Sequence, residues 1–336
     1  MQMSLKQWIP GSLAALSLLL LGCSQEGIKG STSSEDQDRT YILQTDWYAQ
    51  PETGGFFHAA IEGFYEQGGS KFEVRPSTPK MINAQMVASG EADFGITRIE
   101  DIMMARARGM PLVAISVYFQ KSPLALMLHE SNPAQSIADL DGETVMLQMG
   151  KPFHSWIERH FDIELRAIPH DYGIQRFVTD ASKEFIQQAY LTNEPYSVAK
   201  ADVETKLFPL GDAGYQTFLC LYTTEEMIQT QPEVVQIAVE ASARGWRDYL
   251  TSDPSKTQAR LMELNPVLKP DHVNWSRQQI IDYRLVLGNH SWDDPFNAID
   301  VQRAKIQFEL LRDMKIVPAD FDWEASFTDA FLSQDS

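Results

Sequence analysis

Apolar and polar positions change their period many times between residues 41 and 290, and each change marks an element. Residues 41–45 (YILQT), 71–75 (KFEVR) and 93–96 read as strands, the second by strict alternation. Between them, Phe56, Ala59, Ala60 and Phe64 recur at helical spacing and predict a helix over 55–66. Pro79 opens a helical stretch through Met81, Met86 and Val87 that ends near Gly90, and 99–107 predicts another, stopped by Gly109 and Pro111. The run LVAISVYF at 112–119 is almost continuously apolar, which suits the middle of a sheet covered on both faces.

The pattern then restarts. Residues 124–128, 144–147, 165–168 and 189–192 read as extended, with one helical turn over 136–140 and helices over 153–160, 180–188 and 196–200. Past residue 223 the chain is strongly helical. Thr223-Thr224-Glu225-Glu226 is a capped start, 232–250 a long amphipathic helix, and 253–264 and 276–287 add two more. Strands alternating with helices predict α/β units with mostly parallel sheets, and two such sets predict two lobes. Ligands of open α/β sheets sit beyond the carboxyl ends of strands. Three such ends carry polar or aromatic groups here: Asp46-Trp47-Tyr48, Thr97-Arg98 and Asn193-Glu194.

The front of the chain has a different character. Residues 1–22 carry Lys6 and then an apolar run over 13–21, too short to span a bilayer comfortably, as in an export signal. Leu20-Leu21-Gly22-Cys23 resembles the lipobox of bacterial lipoproteins, in which the Cys becomes the lipidated first residue. Residues 23–40 then read as a lipidated Cys and a polar, flexible tether. The other reading of this start is an ordinary signal peptide with an incidental Cys. The remaining thiol, Cys220, lies in the apolar stretch FLCLY and reads as a core residue.

Composition narrows the function. Lys and Arg number 28 against 46 Asp and Glu, a net charge of −18, so nucleic acid is excluded as a partner. Two cysteines exclude a disulfide scaffold and a Cys-based zinc finger. The chain has no HExxH, GxSxG or Walker motif, and its seven His are scattered, so neither a metal nor a cofactor is expected.

Three segments occur together in order: TDWYAQPETGGFFHAAIEGFYEQGG at 45–69, GEADFGITRIEDIMMARARGMPLVAISVYFQKSPLALM at 90–127, and AYLTNEPYSVAK at 189–200. They resemble the NMT1/THI5-like, SsuA/ThiY-type substrate-binding proteins of bacterial ABC importers, over roughly residues 40–290. The resemblance implies an α/β, two-lobe type II periplasmic-binding-protein fold, a monomer that closes on a small molecule and delivers it to an ABC permease. It places the crossings near 120–122 and 218–223, with lobe one formed by 41–121 and 220–336 and lobe two by 122–219.

It also implies a site. Asp46 would accept from an exocyclic amine or cap a turn, and Trp47 would stack on a planar ring or pack in the sheet, with Tyr48 beside them. Gly55 and Phe57 open the next helix, where backbone N–H groups can meet a ligand or simply make a loop-to-helix turn. Thr97 would offer a hydroxyl, while Arg98 reads as a solvated residue at a helix start. Gln120 and Ser122 would touch ligand from the hinge or serve it structurally. Lys151 follows a Gly-containing loop that binds phosphate or sulfonate in family members, although this chain lacks the richer Gly/Ser run. Asn193, Glu194 and Tyr196 follow a strand of lobe two. A Glu194 carboxylate facing Asp46 favours a ligand with N–H donors and disfavours nitrate or sulfonate. A thiamine-precursor pyrimidine, hydroxymethyl- or formylaminopyrimidine, fits that chemistry; riboflavin-like rings, sulfonates, taurine and nitrate are the other ligands the resemblance allows. A second class is catalytic, because the THI5 branch synthesises a thiamine pyrimidine with a Cys-rich, iron-linked motif that this chain lacks. A third is a lipoprotein that senses its ligand without transporting it.

Overall fold

The apolar run at 112–119 becomes β4 (Leu112–Phe119), buried at all eight positions. The computed structural model describes residues 39–332, and in it β4 is the last strand of its sheet, not a middle one. It is buried at that edge because the C-terminal chain covers it. Val117 N donates to Asn297 O at 2.9 Å, and Thr328 N donates to Ala114 O at 2.9 Å.

The first sheet runs β2 (Lys71–Arg75), β1 (Thr40–Gln44), β3 (Phe94–Arg98), β10 (Leu219–Thr224), β4. The second runs β7 (Arg166–Pro169), β6 (Thr144–Leu147), β8 (Ile186–Tyr190), β5 (Leu124–His129), β9 (Thr205–Pro209). The expected α/β class is thus observed, but the sheets are mixed. β1 pairs parallel with β2 and β3, and β6 with β7 and β8, whereas β10 is antiparallel to β3 and β4, and β5 to β8 and β9. The antiparallel strands follow from connectivity. The chain leaves β4 for β5 through four residues, 120–123, and returns over 210–218 to insert β10 between two strands of the first sheet.

Helices cover both sheets. In the first half these are α1 (Gly54–Ile61), α2 (Phe64–Gln67), α3 (Asn83–Ala88) and α4 (Ile99–Arg106). The single helix expected over 55–66 is split, because Gly63 adopts φ 70°, a left-handed conformation that ends α1 and starts α2. Beside the second sheet lie α5 (Pro152–Phe161), α6 (Gln175–Val178) and α7 (Glu194–Ala199), followed after β10 by α8 (Glu225–Thr230), α9 (Pro232–Thr251), α10 (Ser255–Leu264), α11 (Pro270–Asp282) and α12 (Val301–Asp313). Thr224 caps α8, its Oγ1 accepting from Met227 N, as the sequence TTEE predicts. The expected helix over 180–188 is wrong. Residues 186–190 form β8, buried between β6 and β5, and residues 180–184 are a turn whose Asp180 carboxylate accepts from Phe185 N and Ser182. The half-buried edge strand β9 is an addition to the elements that periodicity predicts.

Two crossovers share one anchor. Arg303 on α12 donates through Nη1 to Gln120 Oε1 at 3.0 Å and through Nη2 to Gln120 O at 2.6 Å and Thr217 O at 2.8 Å. Glu100 on α4, buried, accepts from Tyr215 OH at 2.9 Å and from Thr217 Oγ1, so the returning segment is held on its other side too. Cys220 is a free, buried thiol on β10 whose pKa burial pushes up, consistent with a core role. The expected export signal, Cys23 and tether lie outside the described residues.

Candidate functional site

A cavity of about 570 Å³ opens between the two sheets, lined from both. Its floor follows from how each strand ends. After β1 the chain turns sharply, with Thr45 Oγ1 donating to Trp47 O at 2.9 Å, Ser77 N to the same carbonyl at 2.8 Å, and Asn83 Nδ2 to Thr45 O at 2.8 Å. That network holds Asp46 and Trp47 in the cavity wall, where Trp47 meets Tyr172 of the second half at 5.2 Å between ring centroids. Tyr172 takes φ 62°, and its N–H donates to His170 Nδ1 at 2.8 Å, while His170 Nε2 lies 3.1 Å from Gln188 O. The aromatic pair is therefore supported on both sides. Tyr48 packs edge-on to Trp47 and remains 43% exposed at the mouth.

Charge in the cavity is sorted. Asp101, on the first turn of α4, gathers two cations: Lys151 Nζ donates to its Oδ1 at 2.7 Å, and Arg98 Nη1 lies 3.8 Å from its Oδ2, which also accepts from Thr97 Oγ1 at 2.9 Å. Burial works against the Asp101 carboxylate, but Lys151 and Arg98 outweigh it and hold its pKa below the usual range. Arg98 also donates to Tyr190 OH at 2.5 Å. It is buried, not solvated as the sequence suggests, because Tyr190 of the second half closes over it. The other acids behave differently. Burial pushes Asp46 up to about 6 against the pull of Arg98, and Glu52 up to about 7 despite the hydrogen bond from Thr192 Oγ1. Glu52 Oε2 has no partner among the described residues. Burial raises Glu194 as well.

Of the residues expected at the site, Asp46, Trp47, Tyr48, Thr97, Lys151, Asn193 and Glu194 line this cavity. Glu194 serves its own turn, accepting from Tyr190 N at 2.7 Å and Asn193 Nδ2 at 3.2 Å, so its oxygens are partly occupied. Five expected residues lie elsewhere. Gly55 sits beneath Trp246, where an added Cβ would come within 2.2 Å of the indole, so its smallness serves helix packing. Phe57 is buried with Ala49, Leu261, Leu268 and Val273. Gln120 is spent on the hinge, donating to Phe296 O and Ala298 O and accepting from Arg303. Ser122 Oγ accepts from Leu124 N at 3.3 Å. Tyr196 stacks on His272 at 4.2 Å, away from the cavity.

The structure adds Glu52, Asp101, Tyr172, Gln188 and Tyr190 to the site. Only Glu52 leaves a local signal in the sequence, an acid between a strand end and the paired glycines; the others become neighbours through contacts between distant segments.

Four contacts bridge the two halves across this cavity: Trp47 with Tyr172, Arg98 with Tyr190, Asp101 with Lys151, and Glu52 with Thr192. Two mixed α/β halves joined by two crossovers around a lined cavity define the periplasmic-binding-protein fold. The chain belongs to the NMT1/THI5-like family, whose model matches residues 50–257. It is 21% identical over 294 residues to the riboflavin-binding protein RibY of Chloroflexus aurantiacus, covering 82% of this chain and 81% of that one. It is 24% identical over 255 residues to the 4-amino-5-hydroxymethyl-2-methylpyrimidine phosphate synthase THI5 of Saccharomyces cerevisiae, covering 69% and 72%. Its fold matches the periplasmic aliphatic sulphonate binding protein SsuA of Escherichia coli with a TM-score of 0.63 at 15% identity, covering 86% of this chain and 92% of that one.

Proposed function

We propose that this protein is the extracytoplasmic solute receptor of an ABC importer and that its ligand is a planar heterocycle bearing N–H donors. A thiamine-precursor pyrimidine such as 4-amino-5-hydroxymethyl-2-methylpyrimidine is the preferred candidate. The observation that carries this is the pairing of an aromatic clamp, Trp47 and Tyr172, with acids whose pKa burial raises, Asp46 and Glu52. Such acids gain from a ligand that donates hydrogen bonds, and the clamp gains from a flat ring. The cavity volume lies within the 300–1,000 Å³ usual for small-molecule clefts, and leaves room for a larger ring system of the kind named in RibY.

In this reading Cys23 carries the lipid anchor, 23–40 is the tether, and a monomer presents its closed lobes to the permease. Among the described residues no helix is long and apolar enough to cross a membrane. The synthase relatives favour a second reading, in which the same cleft makes a pyrimidine; the lack of a Cys-rich motif weighs against it.

Titration calorimetry of the purified protein against the pyrimidine, riboflavin, taurine, ethanesulfonate and nitrate tests the proposal. Stoichiometric binding of a heterocycle supports it. Binding confined to sulfonates or nitrate overturns the ligand class.

A further inference from the structure

Arg98 and Lys151, one from each half of the protein, both line the cavity that holds the aromatic clamp. Together they are the chemistry that seats a sulfonate, carboxylate or phosphate: a guanidinium with several donors beside an ammonium. Here a side chain already fills that place. Asp101 takes Lys151 at 2.7 Å, lies 3.8 Å from Arg98, and is itself fixed by Thr97 at 2.9 Å. Arg98 lines the cavity and its buried Nε has no partner among the described residues, so the guanidinium keeps an unused donor.

We propose that Asp101 is the selectivity residue of the cleft, a built-in anion that occupies the Arg98–Lys151 pair and thereby refuses anionic ligands. Its placement explains how one fold can present positive groups to its cavity and still favour an N–H-donating ligand. Of the remaining acids, Asp46, which burial raises only to about 6, adds repulsion toward an incoming anion at neutral pH, which the two occupied cations do not offset. Arg108 also borders the cavity but is exposed at its rim, where solvent screens it. This inference deepens the ligand class proposed above and rests on the same cleft.

The substitution Asp101→Asn keeps the side-chain volume and leaves an oxygen to accept from Thr97, while removing the charge. Wild-type protein and the variant are titrated with ethanesulfonate, taurine and the pyrimidine by calorimetry at two salt concentrations. The expected result is at least a tenfold gain in ethanesulfonate affinity in Asp101→Asn, weakened by salt, and abolished in the double variant Asp101→Asn/Lys151→Gln. If Asp101→Asn does not fold, Asp101→Ser provides the same comparison. Ethanesulfonate affinity equal in wild type and folded variant overturns the inference, as does a gain that survives the loss of Lys151. Failure of the ligand class is read separately: a wild type that ignores the pyrimidine, with a variant that gains ethanesulfonate, removes that ligand and leaves the role of Asp101 standing.

Discussion

Replacing Glu52 by glutamine isolates what burial does to one carboxyl of the cleft. The unfolded side chain titrates near 4.5, whereas burial in the folded protein raises it to about 7. Between those values the folded state holds a proton that the unfolded state has released. This contribution to stability is therefore complete below pH 4.5 and is lost as the pH rises through 7. The gap corresponds to about 3 kcal/mol at full ionisation. In Glu52→Gln the new amide mimics the protonated acid: its carbonyl oxygen still accepts from Thr192, and no proton is there to lose. The variant should match wild type near pH 4.5 and exceed it at pH 8 by up to about 3 kcal/mol, or about 5 °C in melting temperature for a chain of this size. Melting curves of both proteins from pH 4.5 to 8.5, without ligand, provide the assay. Equal slopes of melting temperature against pH would refute the claim that Glu52 is held protonated by burial.

Trp47→Ala removes half of the aromatic clamp and should weaken heterocycle binding about tenfold or more by calorimetry, with the melting temperature nearly unchanged. Gly55→Ala should do the reverse. Its Cβ would press on Trp246 at 2.2 Å, costing about 1–3 kcal/mol in urea unfolding, while the folded fraction binds ligand normally. Cys23→Ala should move the protein from membranes to the soluble fraction of expressing cells, and a variant still sedimenting with membranes would speak against lipidation.

Most elements of the fold could be read from periodicity, since burial and helical or strand spacing coincide in β4, β5, α4 and α9. The failures have physical causes. Gln187 and Gln188 suggest a helix by propensity, yet their backbone is claimed by β5 and β6 on either side. The edge strand β9, half-buried throughout and closed by Pro209, carries too little contrast to stand out. At the site, residues adjacent in sequence to strand ends were legible: Asp46, Trp47, Thr97 and Asn193 all reach the cavity. Those that lie elsewhere, Gly55, Phe57, Gln120, Ser122 and Tyr196, belong to equally suggestive motifs whose side chains turn into packing or the crossover. Arg98 looks solvated in the sequence because the group that buries it, Tyr190, is 92 positions away. No local pattern encodes that meeting.

The clasp at the crossovers assigns an unexpected duty to the end of the chain. Arg303 lies 183 positions beyond Gln120 and 86 beyond Thr217, yet one guanidinium grips both. A truncation ahead of α12 would keep every strand of both sheets and lose the pivot pin between the two connecting segments. Gln120 would keep its bonds to Phe296 O and Ala298 O, and Thr217 its bond to Glu100, but no single group would any longer join the two segments. Helix α12 contributes nothing to the cavity wall, yet it ties together the two segments that join the halves.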